Sequence, residues 1–167
     1  PTHELGPIAK VLGINRGNKM LHLSSFATRG GVGLEEFAKD KRNPDPSLSD
    51  TKFNQGDIVL TTITCAGGET VVLTLDTTLP RLYSRDFTVR GTKGMYEERT
   101  NSVFFDDNEE HHQKHDTWKS QWDNMTQYME EYRHPLWKKF REEGIKGNHG
   151  GMDYLVLCAF FEALEKD

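Results

Sequence analysis

Two β-rich runs, Ile58–Cys65 and 70–75, flank Ala66-Gly67-Gly68-Glu69 and commit the middle of the chain to an antiparallel hairpin. β-branched residues suit a pleated, half-buried strand, and adjacent glycines supply the positive φ of a short turn. Residues 20–26 largely alternate in polarity and read as a further strand. Three short strands are expected at 87–90, 95–98 and 102–105, with Gly91 and Gly94 at a turn.

Helical spacing governs the two ends of the sequence. Leu5, Ile8, Ala9 and Leu12 recur on one helix face, and Gly13 is placed to end it. Because Pro7 is tolerated in a first turn, residues 3–6 are expected to be a turn or loosely wound lead-in. Trp118, Trp122, Met125, Met129 and Tyr132 form one stripe, so a single helix is expected there, ended by Pro135. Pro135 can also start a further helix, which Gly144 closes. Met152, Leu155, Val156, Ala159, Phe160, Ala163 and Leu164 form a stronger stripe, with Leu157 and Phe161 adding apolar bulk. That last helix is expected to be largely buried, while the Pro-, Ser- and Asp-rich stretch 44–55 reads as a surface loop. Strands followed by helices indicate an α+β fold: an open, mainly antiparallel sheet with helices packed on one face.

A length of 167 residues suits one domain. The chain opens on Pro1 and stops one residue past Lys166, just after an apolar helical run, so both ends read as cuts through a longer protein. No run is apolar enough to span a bilayer and the start carries no signal-peptide pattern, but with cut ends export stays open. The net charge of −5 and the scattered Lys and Arg argue against a nucleic-acid partner. Cys65 and Cys158 form no CxxC pair and sit in apolar stretches, which suggests buried free thiols and leaves a disulfide between them open.

Several motifs admit two readings. Arg29-Gly30-Gly31-Val32-Gly33 follows a strand and precedes a helical stretch, but from Gly31 the third glycine of a dinucleotide loop would fall on Glu36. It reads as a turn. His111 and His115 would share a helix face and could ligate a metal, with His112 beside them. Their acidic surroundings, Asp106, Asp107, Glu109 and Glu110, favour a solvated, capping segment. No pair of carboxylates marks a conventional glycosidase centre. His3 stands at the mouth of the first helix and serves equally well as a structural or a functional residue on spacing alone. In Asn148-His149-Gly150-Gly151-Met152-Asp153 the plainer reading is a helix start capped by Asn148. The glycines would also let a ligand approach the helix's positive end.

Thr2-His3-Glu4-Leu5-Gly6-Pro7-Ile8-Ala9-Lys10 resembles the segment opening the second domain of glycoside hydrolase family 109. Gly56-Asp57, Leu79-Pro80-Arg81-Leu82-Tyr83-Ser84, Arg90-Gly91-Thr92-Lys93-Gly94 and His149-Gly150-Gly151-Met152-Asp153 follow in the same order, so the resemblance spans nearly the whole chain. The family falls in the wider Gfo/Idh/MocA oxidoreductase group, in which an N-terminal Rossmann domain precedes a C-terminal domain with an open antiparallel sheet. The resemblance implies that residues 1–167 are that C-terminal domain alone, with NAD held mainly by the absent one. Many members of the wider group carry an acidic residue three positions after the histidine; Gly6 stands there in this chain.

The resemblance further implies a bacterial glycosidase that removes terminal α-N-acetylgalactosamine; its location stays open, with the periplasm or secretion compatible with the resemblance. Oxidation at C3 acidifies the C2 proton, elimination expels the aglycone, water adds at C1, and the hydride returns to C3. The cofactor supplies the hard chemistry while the protein positions groups and moves protons. On this reading His3 holds the sugar and relays a hydroxyl proton, with Pro1 and Thr2 beside it. Tyr83 contacts the sugar, and Arg81, His149 and Asp153 rank second. No residue of this chain is expected to hold NAD or a metal. The implied partners are an N-acetylgalactosaminide, the chain's own Rossmann domain, and a second copy through the open sheet face. The isolated chain is expected to be inactive. A sugar dehydrogenase of the same group and a non-catalytic dimerisation module remain as alternatives.

Overall fold

The computed structural model describes residues 2–76, 78–112, 118–144 and 147–166. They form two compact units, Pro1–Arg85 and Asp86–Asp167. Among the described residues helices and antiparallel sheets combine, giving the α+β class, with six strands divided equally between two sheets.

In the first unit, α1 (Thr2–Val11) precedes β1 (Met20–Ala27), α2 (Val32–Lys39), β2 (Ile58–Cys65) and β3 (Thr70–Asp76). The strands pair antiparallel in the order β1-β2-β3, and the expected β2–β3 hairpin forms with Ile63 opposite Val71. Cys65 N–H bonds to the Glu69 carbonyl at 2.9 Å across its turn, and Gly68 takes φ +94°. Ile63, Cys65 and Val71 form the buried centre, and Leu5, Ile8 and Leu12 of the α1 face pack against it with Ile14, Met20 and Leu73. Alternation along the strands puts Phe26, Leu60 and Val72 on the opposite face, exposed among Ser24, Thr62 and Thr74. In β2 and β3 the two faces thus differ: Ile63 and Val71 are buried, Leu60 and Val72 exposed.

Helix α1 begins at Thr2, so the lead-in expected to be loose is wound as helix. Pro7 has a helical φ by construction and denies only one i+4 donor, to the His3 carbonyl one turn earlier.

The second unit holds a meander, β4 (Thr88–Gly91), β5 (Gly94–Glu97) and β6 (Ser102–Phe105), then α3 (Met129–Tyr132), α4 (Pro135–Glu143) and α5 (Met152–Leu164). The single helix expected across Trp118 to Tyr132 is broken into 3-10 turns at Trp118–Gln121 and Met125–Gln127 before α3. Asp123 takes φ +51° and its N–H donates to the Thr100 carbonyl at 2.9 Å. Beside it, buried Asn124 accepts from Val103 N–H at 2.8 Å and donates to the Val103 carbonyl at 2.9 Å. A side-chain amide thus completes the edge of β6, which outweighs a continuous helix at this point.

Pro135 and Gly144 bound α4 as expected, and His134 caps it by accepting from Leu136 N–H at 3.2 Å. Tyr154 of α5 meets the buried Phe140 of α4 edge-on, ring centres 5.1 Å apart. The expectation that α5 is largely buried is not met: Val156, Leu157, Phe160, Phe161 and Leu164 are each more than half exposed. A helix that is apolar nearly all round covers only one stripe when it packs on one neighbour. No helix among the described residues is long and apolar enough to cross a membrane.

Candidate functional site

At the end of the first sheet away from its hairpin turn, one carboxyl oxygen gathers three segments. Asp57, only 7% exposed, immediately precedes β2. Its Oδ1 accepts from the Gly33 N–H in the first turn of α2 and from the Thr78 hydroxyl just past β3, both at 3.0 Å. Gly31, the residue before α2, has no side chain for capping, so the Asp57 carboxylate, from the residue before β2, does that work. Close approach explains the glycines. A Cβ on Gly33 would lie 2.9 Å from Leu79 Cδ2, and one on Gly56 would lie 2.8 Å from the Thr28 carbonyl oxygen.

The segment after Thr78 carries two of the expected site residues. Leu79 N–H donates to Asp76 Oδ1 at 3.4 Å. Arg81 reaches the Leu79 carbonyl at 3.5 Å and forms an ion pair with Asp76 at 3.7 Å. Beyond this braced base, Leu82 and Tyr83 are 91% and 90% exposed. Tyr83 is therefore presented on a short exposed segment held at its root.

His3 is exposed on the first turn of α1, on the face turned away from Leu5, Ile8 and Leu12. Pro1 and the side chain of Thr2 lie outside the described residues. Among the described residues no hydrogen bond or ion pair joins His3 to Arg81 or Tyr83, although all three belong to the first unit.

In the second unit the structure brings His149 and Asp153 together: Nδ1–H donates to Asp153 Oδ2 at 2.8 Å. The hydrogen bond, then the Asp153 charge, raises the imidazole above its ordinary value. Both side chains are solvent-exposed. His149, Gly150 and Gly151 all have positive φ (52°, 64° and 89°), a tight left-handed entry into α5. Asn148 makes no side-chain capping bond, contrary to expectation; the Met152 and Gly151 amides are served instead by the carbonyls of His149 and Asn148.

The histidine tract is also corrected. His111 is 3% exposed, not solvated. Its Nδ1 accepts from Phe105 N–H at 2.8 Å, its Nε2 stands 3.3 Å from the Tyr128 hydroxyl, and its ring stacks on Phe105. Both ring nitrogens are thereby engaged in holding β6 to the following turns. His112 approaches the Asp106 carbonyl at 2.6 Å, and His115 lies outside the described residues. Among the described residues no group of three or more His, Cys, Asp or Glu is arranged to hold a metal. Cys65 and Cys158 are free thiols, the first buried and the second half-buried.

The glycine-rich stretch does not fit a dinucleotide pyrophosphate. Gly31 N–H donates to the Phe53 carbonyl at 3.1 Å and Gly33 N–H to Asp57, so an acidic side chain sits where phosphate oxygens would need donors. Asp57 and Thr78 were not singled out individually from sequence. Gly33 and the Gly56-Asp57 pair were the available signals, and only the tertiary approach of α2 gives them meaning.

The fold and these sites define an α+β domain with two antiparallel meanders and short exposed segments bearing His, Tyr and Arg side chains. The chain belongs to the family described as Glycosyl hydrolase 109, C-terminal domain, whose model matches residues 1–167. It is similar to a Glycosyl hydrolase family 109 protein of Stenotrophomonas maltophilia, 42% identical over 99% of this chain and 35% of that protein. It is also similar to an Alpha-N-acetylgalactosaminidase of Tannerella forsythia, 38% identical over 98% of this chain and 33% of that protein. A Glycosyl hydrolase family 109 protein of Parabacteroides distasonis is 36% identical over 98% of the chain and 33% of its own length. The chain thus spans about a third of the length of the curated relatives it matches.

Proposed function

We propose that this chain is the substrate-side domain of an NAD-dependent glycosidase that releases terminal α-N-acetylgalactosamine by oxidation, elimination and addition. The observation that carries the reading is family membership over residues 1–167, supported by a relative named as an alpha-N-acetylgalactosaminidase. NAD belongs, on this reading, to an N-terminal Rossmann domain of the parent, consistent with the engaged amides of Gly31 and Gly33.

This chain's share is binding and proton movement. His3, exposed on the first turn of α1, holds a sugar hydroxyl and carries its proton through an imidazole nitrogen. Pro1 and Thr2 flank it. Tyr83 offers a ring face and a hydroxyl to the sugar, and Arg81 stiffens the segment behind it through Asp76. His149 and Asp153 form the second-rank contact, an oriented imidazole beside a carboxylate. The exposed sheet face bearing Phe26, Leu60 and Val72 is the proposed surface for a second copy.

Two measurements test the division of labour. Titration of NAD into the isolated chain is expected to show no tight binding; a micromolar or tighter constant would overturn it. The parent should release free N-acetylgalactosamine without net accumulation of NADH, whereas a sugar dehydrogenase would accumulate NADH.

A further inference from the structure

We propose that Asp57 and Thr78 are positioning residues that anchor the segment 79–85 so that Tyr83 is held ready for the sugar; this rests on the function proposed above. The basis is the convergence on one atom. Asp57 Oδ1 takes hydrogen bonds from Gly33 N–H and Thr78 Oγ1, each at 3.0 Å, in a place that is 7% exposed. Thr78 is therefore tied to the residue that precedes β2 and, through the shared Asp57 oxygen, to the first turn of α2.

Leu79 adds the packing half of the anchor. Its Cδ2 comes so near Gly33 that a Cβ there would sit 2.9 Å away, and its N–H is taken by Asp76. Beyond Arg81, exposure rises to 91% at Leu82 and 90% at Tyr83. A side chain so exposed has little packing of its own to limit where it points, so it depends on how firmly the base of its segment is held. Leu79 and Arg81 form that base through Asp76, and Thr78 fixes the base to Asp57. A ligand that needs Tyr83 in one place must otherwise offset the cost of ordering the whole segment.

The test is Thr78→Val in the full-length parent, which removes the hydroxyl and keeps the side-chain shape. Amide hydrogen exchange at Leu79, whose N–H donates to Asp76, should quicken about tenfold. The KM for an α-N-acetylgalactosaminide should rise about fivefold, the weight of one neutral hydrogen bond, with kcat nearly unchanged. Thr78→Ser, which restores the hydroxyl, should restore both. A residue with only a structural role would lower the melting temperature and leave KM alone, and that result overturns the proposal. Unchanged exchange in Thr78→Val overturns it as well. Because exchange needs no substrate, a parent inactive on the glycoside sinks the functional reading without masking the anchoring result.

Discussion

Asn18 Nδ2 donates to Glu69 Oε2 at 3.0 Å, and the same nitrogen donates to the Leu12 carbonyl at 2.9 Å. Its Oδ1 accepts from Lys19 N–H at 2.8 Å and Gly67 N–H at 3.0 Å. One side chain thus ties the exit of α1 to the β2–β3 turn, and α1 carries His3 at its other end. Asn18→Ala should destabilise the protein by about 1 kcal/mol, because the partly buried Leu12 carbonyl and Glu69 carboxylate lose this donor while the two amides it accepts from are exposed to water. Urea denaturation, read as a lower midpoint at constant slope, checks this.

The close-packed glycines should rank by what a methyl group would meet. Gly56→Ala faces the Thr28 carbonyl at 2.8 Å, backbone that cannot swing aside, and should cost about 1–3 kcal/mol. Gly33→Ala meets the Leu79, Asp57 and Thr78 side chains at 2.9–3.1 Å, where only the Leu79 end can swing without breaking the Asp57 bonds, and should cost somewhat less. Gly6 lies inside α1 directly before Pro7, whose Cδ crowds a Cβ on the preceding residue in helical backbone, so Gly6→Ala should bring little or no stabilisation despite the higher helix propensity of alanine. Thermal melts of the three variants give the order directly.

Legibility in the sequence followed the range of the interactions. Strands β2 and β6 fall where alternation and β-branching put them, since those signals are local. The stripe from Trp118 to Tyr132 misled because Asn124 has a partner more than twenty residues earlier, at Val103. His111 misled in the same way: acidic neighbours along the chain suggested solvent, whereas Phe105 N–H and the Tyr128 hydroxyl claim its ring. Of the site, the His149-Gly150-Gly151-Met152-Asp153 segment was readable as a helix start, but the His149–Asp153 contact depends on the left-handed turn between them, and the Asp57–Thr78 contact joins residues 21 apart.

The His149–Asp153 pair should be visible as a titration. Its imidazole is raised from the ordinary 6.5 by Asp153, so the folded state binds the proton more tightly than the unfolded state. The pair therefore contributes stability below the unfolded value, and that contribution is lost as pH climbs through the folded value. Asp153→Asn should return His149 to the ordinary range in a proton NMR titration. Added salt should shrink the shift, because both groups face solvent.

Turnover of an α-N-acetylgalactosaminide by the full-length parent carrying His3→Ala tests the central claim most directly, with NAD affinity and melting temperature measured on the same sample. His3 lies on the exposed face of α1, so its loss should leave folding and NAD binding nearly unchanged. If it moves a proton for the bound sugar, release of N-acetylgalactosamine should fall by about two to four orders of magnitude. Near-normal release from a folded variant, or loss of the fold itself, would contradict the account and make His3 a structural residue.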